Sequence, residues 1–127
     1  MIRVKRVYEP PARDDGWRVL VDRLWPRGLT KDKARVDTWL KEIAPSDTLR
    51  KQFHHEKLSW REFEKHYRVE LKKKDAELKA LREMEKEHGA ITLVFGAKDP
   101  EHNQAAVLAS LLKEGKGRTK SASAGRR

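Results

Sequence analysis

The chain contains no cysteine. This excludes a disulfide, a thiolate nucleophile and any zinc or iron–sulfur centre held by thiolates. Nowhere does it hold the roughly 20 consecutive apolar residues of a membrane-spanning helix. The opening residues, MIRVKRVYEPP, lack the apolar stretch of a secretory signal. A cytoplasmic protein with no membrane partner is therefore expected. Also missing are a Gly-x-Ser-x-Gly elbow, a Gly-x-x-x-x-Gly-Lys-Ser/Thr phosphate loop and a Gly-x-Gly-x-x-Gly dinucleotide turn. An Asp-x-Asp phosphoryl-transfer motif is absent as well, since Leu24 stands two residues after Asp22. Acidic residues are in deficit, 20 against 30 Lys and Arg in a chain of 127, for a net charge of +10.

The composition present suits one compact core with strongly two-faced helices, 37% of residues being hydrophobic and 39% charged. Between Lys113 and Arg127 six basic residues face a single acid, Glu114. Residues 116–127, KGRTKSASAGRR, hold no apolar side chain larger than alanine and cannot offset their ordering entropy by burial. The composition thus divides the chain into a single α/β domain, residues 1–115, and a basic disordered tail, 116–127. The tail offers nucleic acid a non-specific electrostatic contact.

Alternation in IRVKRVY (2–8) predicts an edge strand, and EPPARDDG (9–16) a loop. WRVLVDRL (17–24) and AITLVFGA (90–97) are the apolar strands of a sheet centre. Between them Asp37 can cap a short helix DTWLKEI, ended by Pro45, and Ser46 a second, SDTLRKQF. Ser59 and Glu62 form a capping box ahead of Trp60, Phe63, Tyr67 and Leu71 on one helical face. Leu78, Leu81 and Met84 mark a further helix that stops at Gly89. Asp99-Pro100 opens the last helix, which ends at Gly115, with Asp99 as its N-cap. Trp39 and Trp60 are expected in the core. The fold class is α/β: a small, mainly parallel sheet of about three strands with flanking helices and a long helical insertion between strands two and three. The short link after the first strand favours an antiparallel edge.

A crossover between strands two and three brings their C-terminal ends to one edge of the sheet, where ligands bind in open parallel sheets. Strand two runs into VLVDRLWPRG (19–28), so Asp22, Arg23, Trp25 and Arg27 stand beside Asp99 and Asn103. Guanidiniums are planar bidentate donors suited to phosphate or carboxylate, and Trp25 offers either a core side chain or a wall for a ring-shaped ligand. Asp22 is the candidate base or metal ligand, because it has no evident capping duty. The duller alternative is a structural network pairing Asp22 and Asp99 with Arg23 and Arg27. The five histidines show no recognised ligand spacing, so no protein-borne metal site is expected, and the sequence names no cofactor.

RVYEPPARDDGWRVLVDRLWPRGLTK, DTWLKEIAPSDTLRKQFHHE, WREFEKHYRVEL and ITLVFGAKDPEHNQAAVL together resemble the YeaO-like proteins, a bacterial family filed as domain of unknown function 488. The resemblance covers about residues 2–112. It implies an α/β fold and a cytoplasmic protein, without an established reaction. His55 matches a histidine of the family pattern and becomes the candidate proton shuttle, or else a helix C-terminal residue bonding a carbonyl. The family often reads Asn-His-Ala where this chain has Asn103-Gln104-Ala105, which removes an imidazole. Longer members place a helix between the first two strands, which leaves a parallel first strand open.

These residues set three functions against one another. The first is an anion- or phosphate-binding site at the sheet edge, with or without acid–base or metal-assisted catalysis on a small anionic or phosphorylated molecule. The second is nucleic-acid association, although Glu62, Glu64, Glu70 and Glu77 interrupt the cations Lys65, Arg68, Lys72, Lys73 and Lys74. The third is partner binding without catalysis.

Overall fold

The apolar segments become strands β1 (Ile2–Arg6), β2 (Trp17–Leu20) and β4 (Ile91–Phe95), joined by a two-residue strand β3 (Thr38–Trp39). The helices are α1 (Lys31–Ala34), α2 (Asp47–His54), α3 (Trp60–Leu71), α4 (Asp75–His88) and α5 (Gln104–Ser123). The computed structural model describes residues 1–123. All strand pairs are parallel, in the order β1-β4-β2-β3. The two apolar strands are central, as their composition requires, and β4 is buried along its whole length.

β1 is parallel and not antiparallel, its Ile2 aligned with Ile91 and its Arg6 with Phe95. The ten-residue link fits because it carries no α-helix, only a tight turn from Arg6 to Glu9, extended chain and a 3-10 turn, Arg13–Asp15, and ten extended residues would reach at most about 33 Å. A parallel return normally needs more residues because it normally carries a helix. Gly16 ends that link at φ +68°, and a Cβ there would lie 2.4 Å from the Ala90 carbonyl oxygen, so only glycine lets the chain enter β2.

DTWLKEI is not a helix. Thr38 and Trp39 pair with Val19 and Leu20, and a 3-10 turn, Lys41–Ile43, follows. Asp37 does not cap a helix; its carboxylate accepts the Arg18 backbone N–H at 2.8 Å. The open edge of β2 competed with local helix propensity and won.

The caps at Ser46 and Ser59, the latter with the reciprocal Glu62 bond, hold as expected. Gly89 closes α4 at φ +80°. Helix α5 begins later than expected, at Gln104, and continues past Gly115 to Ser123. Its packed first turns supply the costly nucleus, after which each added residue needs little. Residues 124–127 of the expected tail lie outside the described residues.

One face of the sheet packs Val19, Ile91, Leu93 and Phe95 against Phe63, Tyr67, Leu81 and Leu108 from the long helices. The other face, Val7, Leu20 and Val94, is covered by Ala34, Trp25, Leu29 and Val36. That thinner layer is fastened by a buried ionic network. Arg18 donates to Asp15 at 2.7 Å and to the carbonyls of Ala34 and Arg35, and Lys5 reaches Asp15 at 3.2 Å. Burial pushes the Asp15 carboxyl up. The Ala12 N–H, the Arg18 guanidinium and Lys5 together hold it below the usual range.

Candidate functional site at the C-terminal edge of the sheet

Parallel strands deliver their C-terminal ends to one edge, so the residues after β1, β2, β3 and β4 meet there. Asp22 is the hinge of this edge. One carboxylate oxygen accepts the Gly96 N–H at 2.8 Å, and the other accepts the side-chain amide of Gln104. The end of β2, the end of β4 and the start of α5 are thereby tied to one side chain. Burial pushes the Asp22 carboxyl up to about 6, against the opposing pull of the Gly96 and Gln104 hydrogen bonds. Among the described residues no cation offsets that shift.

Among the described residues the two arginines of this loop do not pair with acids. Arg23 turns under the edge, where its guanidinium donates to the Ala44 carbonyl at 3.4 Å and its buried Nε has no hydrogen-bond partner. Lys74 donates to the same carbonyl at 2.8 Å, and burial, then the nearby Arg23 charge, holds its ammonium below the usual lysine range. Tyr67 closes this corner with a 2.6 Å bond to the Ile43 carbonyl. Its phenol is raised well above the ordinary value by burial, then by Glu70 and Asp22. Arg27 is exposed, and its guanidinium has no hydrogen bond or ion pair among the described residues. The alternative reading, a structural network pairing Asp22 and Asp99 with Arg23 and Arg27, therefore does not form among the described residues.

The remaining candidates divide. Trp25 packs into the thinner core layer and bonds the Leu29 carbonyl at 2.8 Å. Asp99 does not cap α5: its carboxylate accepts the N–H groups of Glu101 and His102, which lowers its pKa and closes a turn ahead of the helix. The cap is Asn103, 2% exposed, whose side-chain oxygen accepts the Ala106 N–H at 2.9 Å while its amide holds the Asp99 carbonyl. His55 ends α2 on the surface, its ring against that of His54, and among the described residues no hydrogen bond or ring contact joins it to the sheet edge.

Two aromatic residues join the edge without having been expected there. Tyr8 donates to the Arg27 carbonyl at 2.9 Å, and Trp39 donates to the Asp22 carbonyl at 2.7 Å. Trp39, expected in the core, is 37% exposed because β3 is the outer strand.

The sequence pattern of a family described as the inactive DUF488-N3 subclade, DUF488-N3i, matches residues 1–126. The chain belongs to this family. Among similar proteins, the uncharacterized protein YeaO of Escherichia coli (strain K12) is 45% identical over 112 residues, covering 88% of this chain and 96% of YeaO. The uncharacterized protein Rv3073c of Mycobacterium tuberculosis (strain H37Rv) is 44% identical over 113 residues, 87% of this chain and 92% of its own. No solved structure matches. No helix among the described residues is long and apolar enough to cross a membrane.

Proposed function

We propose that this DUF488-N3i chain binds a small phosphorylated or otherwise anionic molecule at the C-terminal edge of its sheet, and binds it without turnover. The observation that carries the reading is the pair of arginines after β2. Arg23 holds a buried Nε without an acceptor and Arg27 is left unpaired. A buried donor without a partner is costly, and an anion drawn under the edge beside Arg23 would satisfy it. Arg6 and Lys41, from β1 and the turn after β3, add positive charge at the rim.

The absence of turnover is supported by the way Asp22 is held. Both oxygens already accept hydrogen bonds, and Gln104 supplies an amide that does not exchange protons with substrate near neutrality. The family description of an inactive subclade fits this. An open pocket of about 670 Å³ lies at the opposite edge, lined by Gly16, Arg18, Lys31, Asp32 and Arg35 among others. Its buried cation is already spent, since Arg18 donates from all three nitrogens to protein acceptors. The helix faces offer no continuous phosphate track, Arg68 being paired with Glu64 and Glu114.

Inorganic phosphate or pyrophosphate is expected to raise the thermal midpoint of the wild type. At about 100 times the dissociation constant the gain is about 2.7 kcal/mol, enough for several degrees. Arg27→Ala should remove most of the rise. An equal rise in the folded variant would take the site away from this loop.

A further inference from the structure

The two exposed rings at this edge stand on either side of Asp22. The Tyr8 ring edge comes within 3.9 Å of where a Cβ on Gly96 would lie, and Gly96 is the residue whose N–H holds the Asp22 carboxylate. Trp39 is fixed to the Asp22 backbone from the other side. Both rings are anchored through their polar groups, yet 41% of Tyr8 and 37% of Trp39 remain exposed. Cations are interleaved with them: the Arg6 guanidinium lies 5.2 Å above the Tyr8 ring and the Lys41 ammonium 4.7 Å above Trp39.

We propose that the anion bound here is a nucleoside phosphate, its base stacked on Trp39 and its phosphate taken by Arg27 and the rim cations. The proposal rests on the anion-binding reading above and narrows it. Aromatic faces alternating with cations suit a ligand that is both planar and anionic. A sugar phosphate would use the cations and leave the rings bare, whereas an apolar partner would cover the rings and bury Arg6 and Lys41 without counter-charge. Trp39 is the stacking face because indole is the strongest platform of its kind. The base takes the place of Lys41 over the ring, and the freed ammonium pairs with the phosphate.

The full chain is titrated with adenosine monophosphate, ribose 5-phosphate, inorganic phosphate and a short oligothymidylate, by calorimetry and by tryptophan fluorescence. The monophosphate is expected to bind about tenfold or more tightly than ribose 5-phosphate, the increment of one base–aromatic stack, and to quench fluorescence. Trp39→Leu should bring the ratio of the two affinities close to one, and Trp39→Phe, which keeps a ring, should restore part of it. Equal binding of all three phosphates by the wild type overturns the nucleotide proposal and leaves the anion site standing. No binding of any phosphate overturns both. A monophosphate preference that survives Trp39→Leu overturns the stacking assignment. Binding of the oligothymidylate without the monophosphate replaces the nucleotide with a single-stranded nucleic acid.

Discussion

Arg18→Ala is expected to destabilise the fold by about 3–5 kcal/mol, the range for breaking a buried ion pair by removing one partner. Arg18 and Asp15 are 3% and 4% exposed. Removing the guanidinium leaves Asp15 with Lys5 at 3.2 Å and strips the donor from the Ala34 carbonyl. The turn around Ala34 and Arg35 would lose its side-chain fastening to the sheet, which loosens the cover over Leu20 and Val94. Urea unfolding at pH 7 measures the loss as a lower midpoint. The pH dependence separates charge from packing. Asp15 is held below its ordinary value, so the stability it contributes is present above about pH 4 and is lost as pH falls through its folded pKa. The gap between wild type and variant should therefore narrow in acid. A loss below about 1 kcal/mol at pH 7, where surface pairs fall, would show that the network does not form.

Asp22→Asn is expected to do the opposite and stabilise the protein above pH 6. The folded pKa of about 6 lies above the ordinary 3.8, so the native state favours the protonated acid. Its stabilisation is complete below about pH 4 and is lost as pH rises through 6. The gap corresponds to about 3 kcal/mol. Asparagine carries no charge to desolvate, its carbonyl can accept the Gly96 N–H, and its amide can donate to Gln104 once that side chain turns over. At pH 8 the variant should exceed the wild type by up to about 3 kcal/mol, and at pH 4 the two should agree within about 1 kcal/mol. A variant weaker than wild type at pH 8 would show that a cation, Arg23 being nearest in sequence, compensates the carboxylate.

These two carboxylates also mark what was legible in the sequence. The apolar runs of 17–24 and 90–97, with the serine caps and Gly89, place the sheet centre and the long helices, because burial and capping are local demands that periodicity displays. The convergence of Asp22 with the end of β4 follows from parallel topology. The place of Trp39 is not legible, because a two-residue strand has no period of its own and is set by the free edge of β2. Asp-Pro is the common helix opening and points to Asp99 as the cap, whereas Asn103, four residues on, is the buried residue that closes the first turn. The ionic network of Asp15 and Arg18 left no trace in composition, since a charge in a strand reads as solvent-facing until the second layer over the sheet is known. Tyr8 ends an alternating strand, and nothing local distinguishes a ring left in solvent from one that folds back over a glycine.

The central claim, an anion held by the two arginines after β2, is tested most directly by NMR of the arginine Nε–H groups during titration with inorganic phosphate and pyrophosphate. The account predicts that the Arg23 and Arg27 signals move together, saturate with one dissociation constant, and that the buried Arg23 Nε–H gains protection from exchange with water. Shifts confined to Arg18, Arg35 or scattered surface arginines, with Arg23 and Arg27 unmoved, would contradict it.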